Sequence, residues 1–384
     1  MLDRRQFLAL SAAAAAGLSI QPRAAAIPFG EAAKLEPASG AAWPRYADAI
    51  VIDGLGSPGG SSDGPLTPEQ IADVRASGLT AVNLTVSAVG ELSGAFEETV
   101  KGIAYCEQEL ATHPDVLLKV RSAADLQTAK DSGRLGLIYG FQDTLPLGDD
   151  LDRMETFYRL GVRIIQITYN RRNLAGDGCL EPADGGLSRL GHEMVERMNQ
   201  RGILVDLGHS GRRTALDTIA ASKAPVAISH TGCAALADLP RNKTDEELRR
   251  LADKGGVVGI YLMPFLRTEG QPMAEDVIRH VEHAVQVCGE DHVGIGTDGG
   301  ISPIQLTPEY IERFRQNVQE RRRLGISAPG ESEDVYTFVP DLNTPRRFEL
   351  IARHLLDRGH SEARVAKILG GNFARLFRET WTRT

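Results

Sequence analysis

Short apolar runs recur along the chain, separated by stretches whose apolar positions repeat with helical period. They lie at Ile50–Ile52, Leu79–Val86, Val116–Val120, Leu137–Phe141, Val162–Thr168, Ile203–Leu207, Val226–Ser229, Val257–Leu262 and Val293–Thr297, nine strand candidates in all. Each reads as a short buried strand. Strand and helix alternate over about 250 residues with no break in composition, which predicts a closed parallel (β/α)8 barrel, TIM-like and single-domain, rather than two domains. One strand must then lie outside the barrel, and Val116–Val120 is the expected surplus. An open doubly wound sheet is the alternative, but no strand is followed by GxGxxG and nothing resembles a P-loop. The tail, Pro345–Arg383, reads as amphipathic helix and is expected to pack on the barrel.

The stretch from Gly202 to Asn242 carries the sharpest chemical signal. Two of its apolar runs each stop at a histidine, His209 and His230, with a helical stretch Arg213–Ser222 between them. A strand, crossover helix, strand unit makes the two strands parallel, so both histidines emerge at the carboxyl ends, where α/β folds keep their chemistry. A lone histidine there is more often a hydrogen-bonded loop residue. Two at matching strand ends point to a metal-ligand pair. The other strand ends offer Asp53 or Ser57 in a Gly-rich loop, Gln142 with Asp143, Tyr169 with Asn170, and Asp298. Asp298 facing two histidines suits a proton acceptor for a metal-activated water, or a further ligand; the alternative is a plain Thr-Asp-Gly-Gly turn. His113, His192, His280, His283, His292, His354 and His360 fall in helices or loops and read as structural or exposed.

Composition changes the picture at the N-terminus. Arg4 and Arg5 precede the apolar run Leu8–Ile20 and the small residues Ala24–Ala26, so residues 1–26 read as a twin-arginine export signal, 27–46 as a lead-in and 47–384 as the barrel. The Ala-rich run is short beside the ~20 apolar residues a spanning helix needs, so no stable membrane span is expected. The destination is periplasmic or secreted. A net charge of −8, with only the short surface run Arg321–Arg323, makes nucleic acid an unsuitable partner. Four cysteines with no CxxC imply no disulfide scaffold.

These residues reach a family likeness. GVRIIQITYN, GLSRLGHEMVERMNQRGILVDLGHS, KAPVAISHTGCAALADLPRN, GGVVGIYLMPF, DHVGIGTD and GGNFARLF together resemble the membrane dipeptidase (renal dipeptidase) family of amidohydrolase-like, metal-dependent hydrolases, over Ala47 to Phe377. The resemblance implies a barrel with a two-zinc site that hydrolyses dipeptides. On it, His209 and His230 match the two histidines holding one zinc, Arg241 matches the arginine that holds the substrate carboxylate, and Asp298 matches the acidic residue of the last strand. The departures are specific: the usual His-x-Asp falls on Leu55 and Ser57, the bridging glutamate on Gln142, and the carbonyl-supporting histidine on Tyr169. Leucine cannot bind zinc, serine binds it poorly, and glutamine brings no charge to offset two cations.

The expectation is therefore one Zn²⁺ per chain, held by His209, His230 and Gln142, with Asp298 as base and Tyr169 donating to the developing oxyanion while contacting substrate. Cys179, in the loop with Asp177, Glu181 and Asp184, is either an additional ligand or an ordinary buried or disulfide-bonded cysteine. The function expected is an exported metal-dependent dipeptidase acting on dipeptides or related small N-acyl amino acids, with a homodimer left open. The alternative is a catalytically degenerate barrel that binds a small carboxylate ligand.

Overall fold

The computed structural model describes residues 43–59, 65–90, 93–323 and 327–381. Residues 1–26, where an export signal is expected, and most of the lead-in lie outside the described residues. Every apolar run forms a strand: β1 (Ile52–Asp53), β3 (Ala81–Thr85), β4 (Leu117–Lys119), β5 (Leu135–Phe141), β6 (Val162–Gln166), β7 (Leu204–Asp206), β8 (Ala227–Thr231), β9 (Val257–Ile260) and β10 (Val293–Ile295). Eight of them run parallel in the order β1-β3-β5-β6-β7-β8-β9-β10. The Gly54 amide donates to the Ile295 carbonyl at 2.8 Å, bringing the last strand back to the first. The fold is thus the expected (β/α)8 barrel.

The surplus strand is β4, as expected. β5 is seven residues long, and β4 pairs only its lower part, Leu117 opposite Leu135 to Lys119 opposite Leu137. β6 takes over from Tyr139 upward, so β4 is a wedge beneath it. Two further strands, β2 (Gly56–Ser57) and β11 (Gly299–Gly300), pair with each other above the barrel. They are glycine-rich and carry no apolar run, which is why the hydrophobic pattern misses them. The crossover helix between β7 and β8 covers Arg212–Ala221, one residue earlier than the pattern predicts.

The interior is layered, with one residue per strand in each layer. The lower layer is Ile52, Ala81, Ile138, Ile164, Leu204, Ala227 and Val257, all buried in one apolar cluster. Gly294 takes the eighth place, and a Cβ there would meet the Phe373 ring at 2.5 Å. Phe373, Phe377 and Trp381, from the last helix Asn372–Trp381, belong to the same cluster and close the barrel floor. The amphipathic tail therefore does more than pack on the outside.

Two residues further along each strand, side chains point inward again, and the composition changes to Gly54, Asn83, Gly140, Gln166, Asp206, Ser229, Gly259 and Gly296. Four glycines make room for four polar side chains. A Cβ on Gly140 would lie 2.1 Å from Asn83 Oδ1, and one on Gly259 or Gly296 would lie 2.0 Å from the Ser229 carbonyl oxygen. That carbonyl is turned inward by a register shift of β8 against β9 between Ile228 and Thr231. Such a bulge re-aims neighbouring side chains, and the adjacent Ser229 and His230 are both buried here.

Candidate active site

Above the glycine and polar layer, the carboxyl ends of the strands bring the two histidines together. His209 and His230 meet edge to face with ring centroids 4.9 Å apart, and Tyr169 lies over His209 at 4.1 Å. His209 Nδ1 is 2.6 Å from Asn170 Oδ1, and its Nε2 is 3.2 Å from Gln142 Oε1. The Gln142 amide is itself held, its Nε2 donating to Thr85 Oγ1 at 2.8 Å. His230 Nδ1 is 2.8 Å from Ser229 Oγ, while its Nε2 is buried with no hydrogen-bond partner. Burial, and next the positive charge of Arg241, hold both imidazoles well below the usual histidine range, so they are neutral lone-pair donors at physiological pH.

Arg241 is 2% exposed, with Nη1 donating to the Gly208 carbonyl at 2.9 Å and Nη2 without a partner. Its charge acts on Asp298, Tyr169 and Cys179. Asp298 is the one non-glycine residue with positive φ among the described residues, at 58°. Its amide donates to the Leu55 carbonyl at 2.8 Å, a bond that ties the strained backbone to the first strand. Burial pushes the Asp298 carboxyl up to about 6, against the opposing pull of Arg241 and Arg321. Burial also raises the Tyr169 phenol, so it stays protonated as a donor.

Several strand-end candidates have other duties. Asp53 accepts from Thr297 Oγ1 at 2.6 Å, from the Thr297 amide at 2.8 Å and from the Leu55 amide at 3.2 Å, which makes it a clamp across the β1–β10 seam rather than a ligand. Ser57 Oγ donates to the Gly59 carbonyl at 3.1 Å. Asp143 is buried and accepts from Asn173 Nδ2 at 2.7 Å and from the Tyr169 amide at 3.3 Å, so it anchors the Tyr169 loop. Glu181 accepts from the Arg172 amide. Cys179 does reach the centre, with Sγ 3.6 Å from Asn170 Oδ1 and the Arg241 guanidinium alongside. It is a free thiol, and burial raises its pKa. The structural reading holds for His280, whose Nδ1 accepts from the Cys233 amide, and for His283, bonded to Asp245.

One residue was misread from sequence. Arg321 belongs to a charge run that looks solvated, yet its side chain is turned inward and donates to both oxygens of Glu331, at 2.7 and 2.8 Å. From there its charge acts on Tyr169, Asp298 and His209. Arg322 and Arg323 do remain exposed. No local signal separates the three, because the partner of Arg321 lies ten residues on in a loop.

The profile of the membrane dipeptidase family, peptidase family M19, matches residues 69–316, more than half of the chain. The chain belongs to this family. The dipeptidase verJ of Clonostachys rogersoniana is 33% identical over 235 residues, 60% of each protein. The dipeptidase tcpJ of Claviceps purpurea is 28% identical over 289 residues, 74% of this chain and 60% of that one. The matched part thus spans about 60% of the length of these two relatives. Among solved structures, an amidohydrolase from Pseudomonas aeruginosa is 36% identical, with TM-score 0.76 over 88% of this chain and 98% of that one. A metallopeptidase from Rhodobacter sphaeroides, solved with a phosphinate mimic of L-Ala-D-Ala, shares the fold at 19% identity and TM-score 0.70.

The family implies a metal, and the donor set can be tested against one ion and against two. Two neutral imidazoles, an unpartnered buried Nε2 and an amide oxygen facing the second Nε2 fit a single borderline-soft cation. A pair of ions needs a bridging carboxylate and further charged ligands. Leu55 is buried and apolar, Ser57 is bonded to its own loop, and Gln142 is neutral. Among the described residues, no group of three or more His, Cys, Asp and Glu side chains is arranged to hold an ion. The residues fit one metal through the His209, His230 and Gln142 set, and they do not fit two.

Proposed function

We propose that this chain is a metal-dependent dipeptidase that hydrolyses the amide bond of dipeptides or related small N-acyl amino acids bearing a free carboxylate. The observation that carries the reading is Arg241: a fully buried guanidinium with an unpartnered Nη2, beside the imidazole pair and Asp298. A planar fork with free N–H groups is matched to a carboxylate, and its burial makes that charge costly to leave unpaired. His209, His230 and Gln142 would hold one Zn²⁺, which when bound supplies Lewis-acid polarisation of the scissile carbonyl.

The remaining steps belong to the chain's own residues. Arg241 binds the substrate carboxylate and sets the distance to the scissile amide. Asp298, with a carboxyl near 6, is ionised at neutral pH yet basic enough to take the proton of the attacking water and to pass it to the leaving amine. Tyr169, kept protonated by burial and lying over His209, donates a hydrogen bond to the oxyanion as the carbonyl carbon becomes tetrahedral. Retention of this acid-base set, together with family membership, favours an enzyme over a degenerate binding barrel. The twin-arginine segment supports export to the periplasm in the folded state, and cell fractionation checks it. Metal analysis of the purified chain alongside turnover of a dipeptide panel tests the whole reading: at most one zinc per chain and measurable hydrolysis are expected. A metal-loaded chain that cleaves no member of a broad panel would overturn it.

A further inference from the structure

We propose that Asp206, acting through the Ser229 hydroxyl, fixes His230 as its Nδ1–H tautomer and thereby presents the Nε2 lone pair to the site. The inference rests on the reading of His230 as a ligand, and it concerns two residues that lie within the family stretches quoted above but are given no role there. Asp206 Oδ1 is occupied by three backbone donors, the amides of Leu207 (2.8 Å), Gly208 (3.3 Å) and Ser229 (2.8 Å). Its Oδ2 accepts the Ser229 hydroxyl proton at 2.5 Å. In the carboxylate form of Asp206, which burial opposes and its four hydrogen-bond donors favour, that proton is spent and Ser229 Oγ can only accept from His230, 2.8 Å away, so the imidazole proton sits on Nδ1. Nε2 is then bare, buried and without a protein partner. Donation of the distal ring N–H to a fixed acceptor is the general way that a ligating histidine is oriented.

The three backbone donors make the arrangement directional. In Asp206→Asn, the carboxamide oxygen must stay on the Leu207, Gly208 and Ser229 amides, because an NH₂ group there would face three N–H groups. The NH₂ is then forced onto Ser229 Oγ, the hydroxyl turns round to donate to His230 Nδ1, and the imidazole proton moves to Nε2. One isosteric change therefore reverses the tautomer of a ring it does not touch.

Long-range ¹H–¹⁵N spectra of the full chain, as purified and after chelation, read this directly, with the His230 signals identified by their absence in His230→Gln. Wild type is expected to show Nδ1–H in both states, and chelated Asp206→Asn to show Nε2–H, with zinc affinity reduced about 10–100-fold. Ser229→Ala removes the intermediary and is expected to give a mixture of tautomers, which keeps the test open should the Asn variant fold poorly. Nε2–H in the chelated wild type, or Nδ1–H persisting in a folded Asp206→Asn, would overturn the proposal. The tautomer measurement needs no turnover, so an inactive chain would sink the dipeptidase reading without touching this one.

Discussion

The two ends of this barrel are built on opposite principles from the same eight strands. At the floor, seven apolar side chains and the rings of Phe373, Phe377 and Trp381 fill the space, with the Trp381 indole Nε1 the one buried polar atom among them left unpartnered. At the mouth, His209, His230, Gln142, Tyr169, Arg241 and Asp298 leave hydrogen-bonding capacity unspent, with His230 Nε2 and Arg241 Nη2 buried and unpartnered. An unsatisfied buried polar group costs on the order of 1–3 kcal/mol. The mouth is therefore a debit on stability that the floor and the helical shell must offset, and the glycine and polar layer between them is the boundary. Changes at the floor should cost stability and spare chemistry, and changes at the mouth should do the reverse.

The largest effect is expected at the mouth. Asp298→Asn should lower kcat by a factor on the order of 10²–10⁴, the usual worth of a general base, and leave zinc content and Tm in place. Full activity in this variant would move the base elsewhere. At the floor, Phe373→Ala should cost about 3–5 kcal/mol of stability in a denaturant titration, the range for a buried aromatic, while kcat of the folded fraction is unchanged. A selective loss of activity there would break the division between the two ends.

Arg241→Met comes next. Loss of a charged hydrogen-bonding partner is worth about 1.5–3 kcal/mol, so KM for free dipeptides should rise roughly tenfold to a hundredfold. Amidated substrates should be unaffected, and equal effects on both would refute the carboxylate assignment. The last effect concerns the seam. Burial pushes the Asp53 carboxyl up to about 7, above its unfolded value near 4, so the folded state holds the proton more tightly. Its contribution to stability is full below the unfolded value and is lost as pH rises through about 7. Asp53→Asn should flatten that decline between about pH 4 and 7, but only in part, because burial also raises the carboxyls of Asp143, Asp206 and Asp298. An unchanged slope of Tm against pH would show that Asp53 does not titrate there.

Much of the floor and shell was legible in the sequence. Strands buried on both faces announce themselves as apolar runs, and counting nine of them against eight barrel strands showed that one was surplus, though not which one. His209 and His230 were legible because each ends a run. The amphipathic tail betrayed its helix but not its destination, since periodicity says which face is apolar and not what it meets. The glycine and polar layer was invisible for a physical reason: Gly54, Gly140, Gly259 and Gly296 matter through the backbone and side chains opposite them, which belong to other strands. Arg321 and the Asp206–Ser229–His230 chain were missed on similar grounds. Their partners are remote in sequence or hidden in a bulge, where simple alternation of inward and outward positions fails.

The glycine layer also bears on how this sequence can drift. Gly140 faces the tip of a side chain, Asn83 Oδ1, so a larger residue there becomes acceptable once position 83 is shortened. The two sites are then epistatic, each harmful alone and tolerable together, and a lineage crosses that gap only through a damaged intermediate. Gly259 and Gly296 face the Ser229 carbonyl instead. No second substitution removes a main-chain oxygen, so at those two positions the route is closed, and homologues that keep the β8 bulge should keep both glycines however far the rest of the mouth diverges.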